Sequence, residues 1–327
     1  MMNRTKLFLL SASLMCLAPF AAAGTTDKEI LKIKETGDMY FTSGNYPAAI
    51  SQYKMLQDAE LTRETWLDVL EKKGIACEAV GDLASAIEAF LGCIEFDGSK
   101  WRHHMNLARI YEKSAMNSSA IESYSKVVEL KGDKFTACLA LGRIYQAQGL
   151  NTQAIEYYRQ ALLIKSTSGL YRNLSKCYEL LHDWGMASSM LKQALSLEYN
   201  AEDNIRLGML YYLQGKYVDS IYLLMKESEQ YPDRKDIKLH LLAAYFKKGD
   251  YESFNDLVNQ LKTEYPRDAL VYFLSGFYAY MKNDTARAYE DLKKADEYAD
   301  TPMLKEYSSY FADFLGKNKE IIPKLKK

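Results

Sequence analysis

A residue that is small in seven of eight copies, followed in most by an aromatic three positions later, recurs along the chain at Gly37, Gly74, Ala108, Gly142, Ser175, Gly208, Leu242 and Gly276. The spacings are 37, 34, 34, 33, 33, 34 and 34 residues. A period of this length constrains the fold severely, because one repeat is one supersecondary unit, too small to bury its apolar face alone, so the units must stack. Two ordinary globular domains, which 327 residues would otherwise suit, have no reason to repeat themselves in this way. With only 6 Pro and 17 Gly the chain also lacks the breakers of an irregular or collagen-like polymer, so the units read as helical.

Numbering each unit so that the recurring small residue is position 8 exposes further columns. Position 11 holds Tyr40, Cys77, Tyr111, Tyr145, Tyr178, Tyr211, Tyr245 and Ala279. Position 20 holds Ala49, Ala86, Ala120, Ala154, Ala187, Ser220, Phe254 and Ala288, and position 24 holds Tyr53, Phe90, Tyr124, Tyr158, Leu191, Leu224, Val258 and Leu292. Small residues at 8 and 20 let two antiparallel helices approach, and large ones at 11 and 24 fill the space beside that contact. Glycine follows the first helix at Gly44, Gly81, Gly149, Gly215 and Gly249, where a positive φ closes a helix without strain.

These columns resemble the tetratricopeptide repeat, a helix-turn-helix unit, over roughly residues 28 to 300. The resemblance implies an all-α fold, an α-α superhelix or solenoid of about eight hairpins with units near 30–63, 67–100, 101–134, 135–167, 168–200, 201–234, 235–268 and 269–301. The repeat array then runs over 24–301, and residues 302–327 are read as capping helices, Met303 to Leu315 and Glu320 to Leu325, that give the last unit a polar outer face. Leu242 and Phe254 stand where the pattern wants small residues, so the seventh unit should pack loosely or at a shifted angle. The first spacing of 37 implies a longer connection around Ala59 to Thr65, with Trp66 opening the second unit.

Ahead of the array, Arg4 and Lys6 precede an apolar stretch from Leu7 to Phe20 and the small-residue run Ala21-Ala22-Ala23. That order is the three-part pattern of a secretory signal, predicted over residues 1–23. The apolar run is shorter than the roughly 20 residues a spanning helix needs. Met15 before Cys16 disfavours lipidation. The expectation is an exported, periplasmic protein with no membrane span in the mature chain, associated with the outer membrane, if at all, through a partner.

Charge and chemistry narrow the function. Lys+Arg 42 against Asp+Glu 43 leaves a net charge of −1 with no basic stripe, so nucleic acid is not an expected partner. His103 and His104 are adjacent, and so point about 100° apart on a helix, the wrong spacing for two ligands of one metal. There is no phosphate-cradling loop, nucleophile elbow, HExxH or CxxC motif, and neither a catalytic residue, a metal nor a cofactor is expected. Cys77, Cys93 and Cys138 fall on core columns and read as small buried residues, with a Cys77–Cys93 bridge open as an alternative in an exported chain.

In the family resembled, first helices line a concave groove through positions 2, 5, 9, 12 and 13. Carried onto this sequence, units three to five present Arg109, Arg143 and Lys176 at position 9 and Arg172 at position 5, beside Glu or Gln at position 12. Units six to eight present Ile205, Leu239 and Phe273 at position 5, Met209 and Phe277 at position 9, and Tyr212, Phe246 and Tyr280 at position 12. Arg109 with Glu112 and Lys176 with Glu179 are spaced to pair along their own helices, whereas Arg143 and Arg172 are left to hold a carboxylate. The apolar half either meets a partner or is covered by the C-terminal helices. A carboxylate clamp of the kind some relatives use is not supported: Lys34 fits it, but Asp38 and Lys72 do not. The resemblance implies a non-enzymatic adaptor that binds protein partners, as an envelope scaffold or, alternatively, as a periplasmic chaperone holding extended clients.

Overall fold

The computed structural model describes residues 27–318. The secretory segment, Cys16 and the expected helix from Glu320 to Leu325 lie outside the described residues. Among the described residues there are seventeen helices and no strand.

Contacts divide the chain after Lys165 into two units. The first holds α1 (Asp27–Thr42), α2 (Tyr46–Lys54), α3 (Arg63–Val80), α4 (Leu83–Phe96), α5 (Trp101–Lys113), α6 (Asn117–Glu129), α7 (Lys134–Ala147) and α8 (Asn151–Leu162). The second holds α9 (Ser168–Leu180), α10 (Trp184–Leu197), α11 (Ala201–Leu213), α12 (Tyr217–Gln230), α13 (Lys235–Lys248), α14 (Tyr251–Glu264), α15 (Ala269–Met281), α16 (Thr285–Tyr298) and α17 (Pro302–Asn318). Two or three residues join the helices of each hairpin, so partners are antiparallel neighbours.

The turns are written locally. The N–H of Gly81 donates to Glu78 O at 3.1 Å and that of Asp82 to Cys77 O at 2.9 Å, closing α3 through a left-handed residue, and the Asp82 carboxylate then caps α4 by accepting from the Ser85 N–H. All five glycines expected in this role have positive φ. In the third, fifth and eighth hairpins the sequence supplies no glycine, and Ala115, His182 and Asn283 take the same conformation instead. Hydrogen bonds to the preceding helix compensate the strain, as when Asp183 N–H donates to Tyr178 O at 2.9 Å.

Within hairpins the close approach is between positions 8 and 24. A Cβ placed on Gly142 would lie 2.4 Å from the Tyr158 ring, and one on Gly74 would lie 2.7 Å from Phe90. Every residue of columns 20 and 24 is buried. Column 11 differs from expectation, since Tyr40, Tyr111, Tyr145, Tyr178 and Tyr245 are only half-buried. Their rings flank the core while the hydroxyl ends stay near water, as suits an amphipathic side chain.

In the seventh hairpin, α13 and α14 touch less than the two helices of any other hairpin. Leu242 and Phe254 are both buried there, in one cluster with Val258, Leu261 and Val271, and their bulk holds the helices apart. The connection from α2 to α3 is longer, as expected, with Leu56 buried beneath it, but α3 starts at Arg63, and Trp66 sits one turn inside it. α17 packs on α16 through Ala312 and Leu315. Its exposed residues include Lys305, Glu306, Asp313 and Lys317 together with Met303, Tyr307 and Tyr310.

Candidate functional site

In the first unit, the first-helix face is a network of charges joined from one hairpin to the next. Lys34 and Lys72 each bridge Asp38 and Asp68 at 2.7–2.9 Å. Glu78 accepts from Arg109 at 3.5 Å and from Lys113 at 2.5 Å, and Glu112 accepts from Arg143 at 3.3 Å. Arg109 therefore pairs with the preceding repeat rather than with Glu112 of its own helix. Arg143 is not free either, since Glu112, one repeat back, occupies it. The reason is geometric: position 9 of one first helix and position 12 of its predecessor face each other across the helix–helix contact.

Beneath this network lies a second layer the sequence reading missed. The buried tyrosines at position 24 reach through the hairpin to the groove: Tyr53 OH donates to Asp38 Oδ1 at 2.8 Å, Tyr124 OH to Glu112 Oε2 at 2.8 Å, and Tyr158 OH to Gln146 Oε1 at 2.9 Å. Burial and the bond to Glu112 push the Tyr124 hydroxyl up, so it remains a donor across the working pH range. Burial works to raise the Asp38 carboxyl, but hydrogen bonds from Lys34, Lys72 and Tyr53 outweigh it and hold the group below its ordinary value. The layer fixes Asp38, Glu112 and the Gln146 amide in place from below.

In the second unit, Arg172 bonds Asp203 through Nε and Glu198 through Nη1 at 3.2 Å, so it too is paired rather than free. Glu179 accepts from Arg206 at 2.6 Å and from Ser175 Oγ at 3.1 Å, which leaves Lys176 exposed without the expected intrahelical partner. Ile205 does not line a groove. It is 3% exposed, packed with Ile221, Leu224, Ile237 and Leu241, because position 5 of α11 turns toward the next hairpin.

The remaining apolar residues do gather. Tyr212, Leu239, Phe246, Phe273 and Phe277, with Leu242, Ala243, Lys247, Phe254 and Leu274, line a cavity of about 310 Å³ on the first-helix face of α13 and α15. Phe246 lies 5.7 Å from Phe254 and 6.5 Å from Phe277, ring centre to ring centre. The Phe311 ring of α17 packs edge-on against Phe273 and Phe277, so the C-terminal helix backs two rings of the lining without contributing a residue to it. Met209 and Tyr280, each 36% exposed, are not among its lining residues. A second cavity of about 170 Å³, lined by Met209, Leu213, Leu224 and His240, shares Tyr212 and Ala243 with the first.

Nothing in the described residues is arranged as for metal chemistry: no three His, Cys, Asp or Glu side chains are gathered as for an ion. Cys77, Cys93, Cys138 and Cys177 are buried free thiols, so the Cys77–Cys93 bridge is not formed. Burial pushes the Cys93 thiol up to about 12, which keeps it protonated and inert. No described helix is long and apolar enough to cross a membrane.

Two segments, residues 104–134 and 137–169, match families described as tetratricopeptide repeat. These segments are tetratricopeptide repeats. Arrays of this repeat are generally non-enzymatic protein–protein interaction scaffolds. Among curated proteins, the chain is 28% identical over 170 residues to the TPR repeat-containing protein YpiA of Bacillus subtilis (strain 168), across 50% of this chain and 39% of that protein. It is 26% identical over 92 residues, 28% of this chain and 10% of the relative, to the protein O-mannosyl-transferase TMTC1 of Homo sapiens. The chain thus spans less than half the length of either relative. Among solved structures, the Naa15/Naa10 assembly bound to HypK-THB aligns with a TM-score of 0.59 at 12% identity, over 86% of this chain and 44% of that one. The C-terminal part of a TPR repeat-containing protein from Cytophaga hutchinsonii aligns with a TM-score of 0.52 at 14% identity, over 83% of this chain and 98% of that one. Both likenesses concern the fold, which is of the α-α superhelix class.

Proposed function

We propose that the protein is a scaffold of the bacterial cell envelope that binds partner proteins along the first-helix face of its repeats. The observation that carries this reading is the cavity at α13 and α15, where Tyr212, Phe246 and Phe277 present aromatic surface that the chain's own core does not use up. Large aromatic side chains held on rigid helices are the residue types that dominate binding energy between proteins. The charged face of the first unit contributes differently. Its carboxylates and cations are already matched in pairs, so it offers shape and electrostatic discrimination rather than free charges. Export to the envelope rests on the secretory pattern of residues 1–23.

Affinity capture from envelope extracts tests the reading, with wild type compared against Met209→Asp combined with Tyr280→Asp. Both side chains are accessible, so the substitutions place charge at the groove without emptying the core. A stoichiometric partner captured by wild type and lost with the double variant is the expected result. Many unrelated unfolded clients captured without stoichiometry would select the chaperone reading instead. No co-purifying protein would refute both, and uncleaved protein retained in the cytoplasmic fraction would refute the envelope assignment.

A further inference from the structure

We infer that the seventh hairpin is a socket for a partner segment that carries a large apolar side chain next to a carboxylate, an inference that rests on the protein-binding reading above. The socket exists because the repeat pattern is broken. Where seven hairpins place a small residue at position 20, this one places Phe254, and Leu242 replaces the small residue opposite. The two side chains separate α13 from α14, and the space so opened becomes the floor of the 310 Å³ cavity.

Size and lining select the occupant. A volume of about 310 Å³ lies at the bottom of the range for drug-sized ligands, roughly 300–1,000 Å³, and suits one or two side chains better than a cofactor. The wall is aromatic, and the cavity's neighbour of about 170 Å³ shares Tyr212 and Ala243 with it, so two apolar anchors of one segment can sit side by side. Lys247 is the only charged residue of the lining. It is exposed, and no carboxylate lies within ion-pair distance of it among the described residues, in contrast to Lys248, which bonds Asp250 at 3.2 Å. A lone cation at the mouth of an apolar cavity complements an anion on whatever enters and disfavours a cation there. The smaller cavity adjoins through Tyr212 and is lined by Met209 of α11, so the segment runs across the α11 side.

Fluorescence anisotropy on the full chain tests this with a labelled Gly/Ser host peptide carrying two phenylalanines three residues apart and an aspartate beside the second. Two companions are measured with it, one with lysine in place of the aspartate and one without the phenylalanines. The expected result is binding of the acidic peptide at least about tenfold tighter than its lysine twin, no binding without the phenylalanines, and reversal of the charge preference in Lys247→Glu. That variant changes only a surface residue and keeps the fold. Phe254→Ala restores the small residue of the other hairpins and is expected to abolish binding; circular dichroism shows whether it stays helical. Equal affinity for the charge twins, an unchanged order in Lys247→Glu, or binding of sodium palmitate in place of the peptides would overturn the proposal. If partner capture persists when the peptides fail, the socket is wrong and the scaffold reading stands. If the peptides bind and capture fails, the socket stands and the scaffold reading falls.

Discussion

Replacing Gly142 by alanine separates two opposing effects that the structure lets one weigh. In the interior of α7 the change favours folding through helix propensity, by about 0.8–1.0 kcal/mol. Against this, the new methyl would lie 2.4 Å from Cε1 and 2.5 Å from Cδ1 of Tyr158, about an ångström inside contact distance. The ring cannot step aside, because Tyr158 is fully buried and its hydroxyl is tied to Gln146 at 2.9 Å. Overpacking of this kind costs about 1–3 kcal/mol, and a rigid ring puts it at the upper end, so the net loss should be about 2 kcal/mol. Gly169 is the control: nothing lies within 4 Å of its would-be methyl and its φ is ordinary, so Gly169→Ala should be neutral or slightly stabilising. Urea unfolding followed by circular dichroism measures both, and the array requires a check that m is unchanged before free energies are compared. Tyr158→Leu should relieve the clash, since Ser175 already carries a Cβ opposite Leu191 in the fifth hairpin. The double variant Gly142→Ala with Tyr158→Leu should therefore lose less than the sum of the two singles. A Gly142→Ala protein as stable as wild type, or strict additivity in the double variant, would refute the claim that positions 8 and 24 set the hairpin spacing.

Three further outcomes are expected. Ala154→Leu enlarges the small side chain at position 20 of the fourth hairpin, where the residue is fully buried, and should cost on the order of 1–3 kcal/mol in the same assay. Tyr124→Phe removes the bond that holds Glu112 and should cost about 0.5–1.5 kcal/mol while leaving helicity intact. The third concerns acid: burial lowers the His103 pKa below its ordinary 6.5, only partly offset by Glu71, with Lys100 adding to the lowering. Because the unfolded chain then takes up the proton first, stability is complete above about pH 6.5 and declines as pH falls from there toward the folded-state value, by at most about 1.4 kcal/mol per pH unit per proton. His103→Leu should flatten that decline, whereas stability tied to the lowered Asp38 and Asp68 carboxyls is complete only above about pH 3.8 and is lost as pH falls from there toward their lower folded-state values.

Much of the hairpin was legible because it is written in side-chain size at fixed offsets. Gly142 and Tyr158 are sixteen residues apart, as are Gly74 and Phe90, and each pair meets across a turn whose length the sequence also encodes. The charged face was less legible. Arg109 and Glu112 stand at a spacing that suggests an intrahelical pair, yet Arg109 turns to Glu78 and Arg143 to Glu112. The signal was present as a constant offset of 31 residues between these partners, but it has meaning only once adjacent first helices are known to be in contact. Ile205 misled for a related reason. A column that lines a cavity in α15 is packed into the core in α11, and hydrophobicity alone does not separate the two.

The seventh hairpin shows why departures from a repeat pattern carry more information than agreement with it. A phenylalanine at position 20 cannot fit between helices held at the spacing that Ala154 and Gly142 permit, so either the helices part or the hairpin is destabilised. Parting is favoured here because Phe254 is itself buried, and an aromatic side chain that removes about 150–250 Å² from water contributes on the order of 4–6 kcal/mol at about 25 cal/mol per Å². That gain outweighs the weakened contact between α13 and α14 and leaves space on the side where no second helix returns to fill it. Phe254 packs against Phe246 at 5.7 Å and Tyr278 at 5.3 Å, so the Phe246 ring on the cavity wall stands on a buried ring rather than on backbone. The same residue that loosens the hairpin thus braces the Phe246 ring on the cavity wall, and a braced side chain binds without losing much conformational entropy.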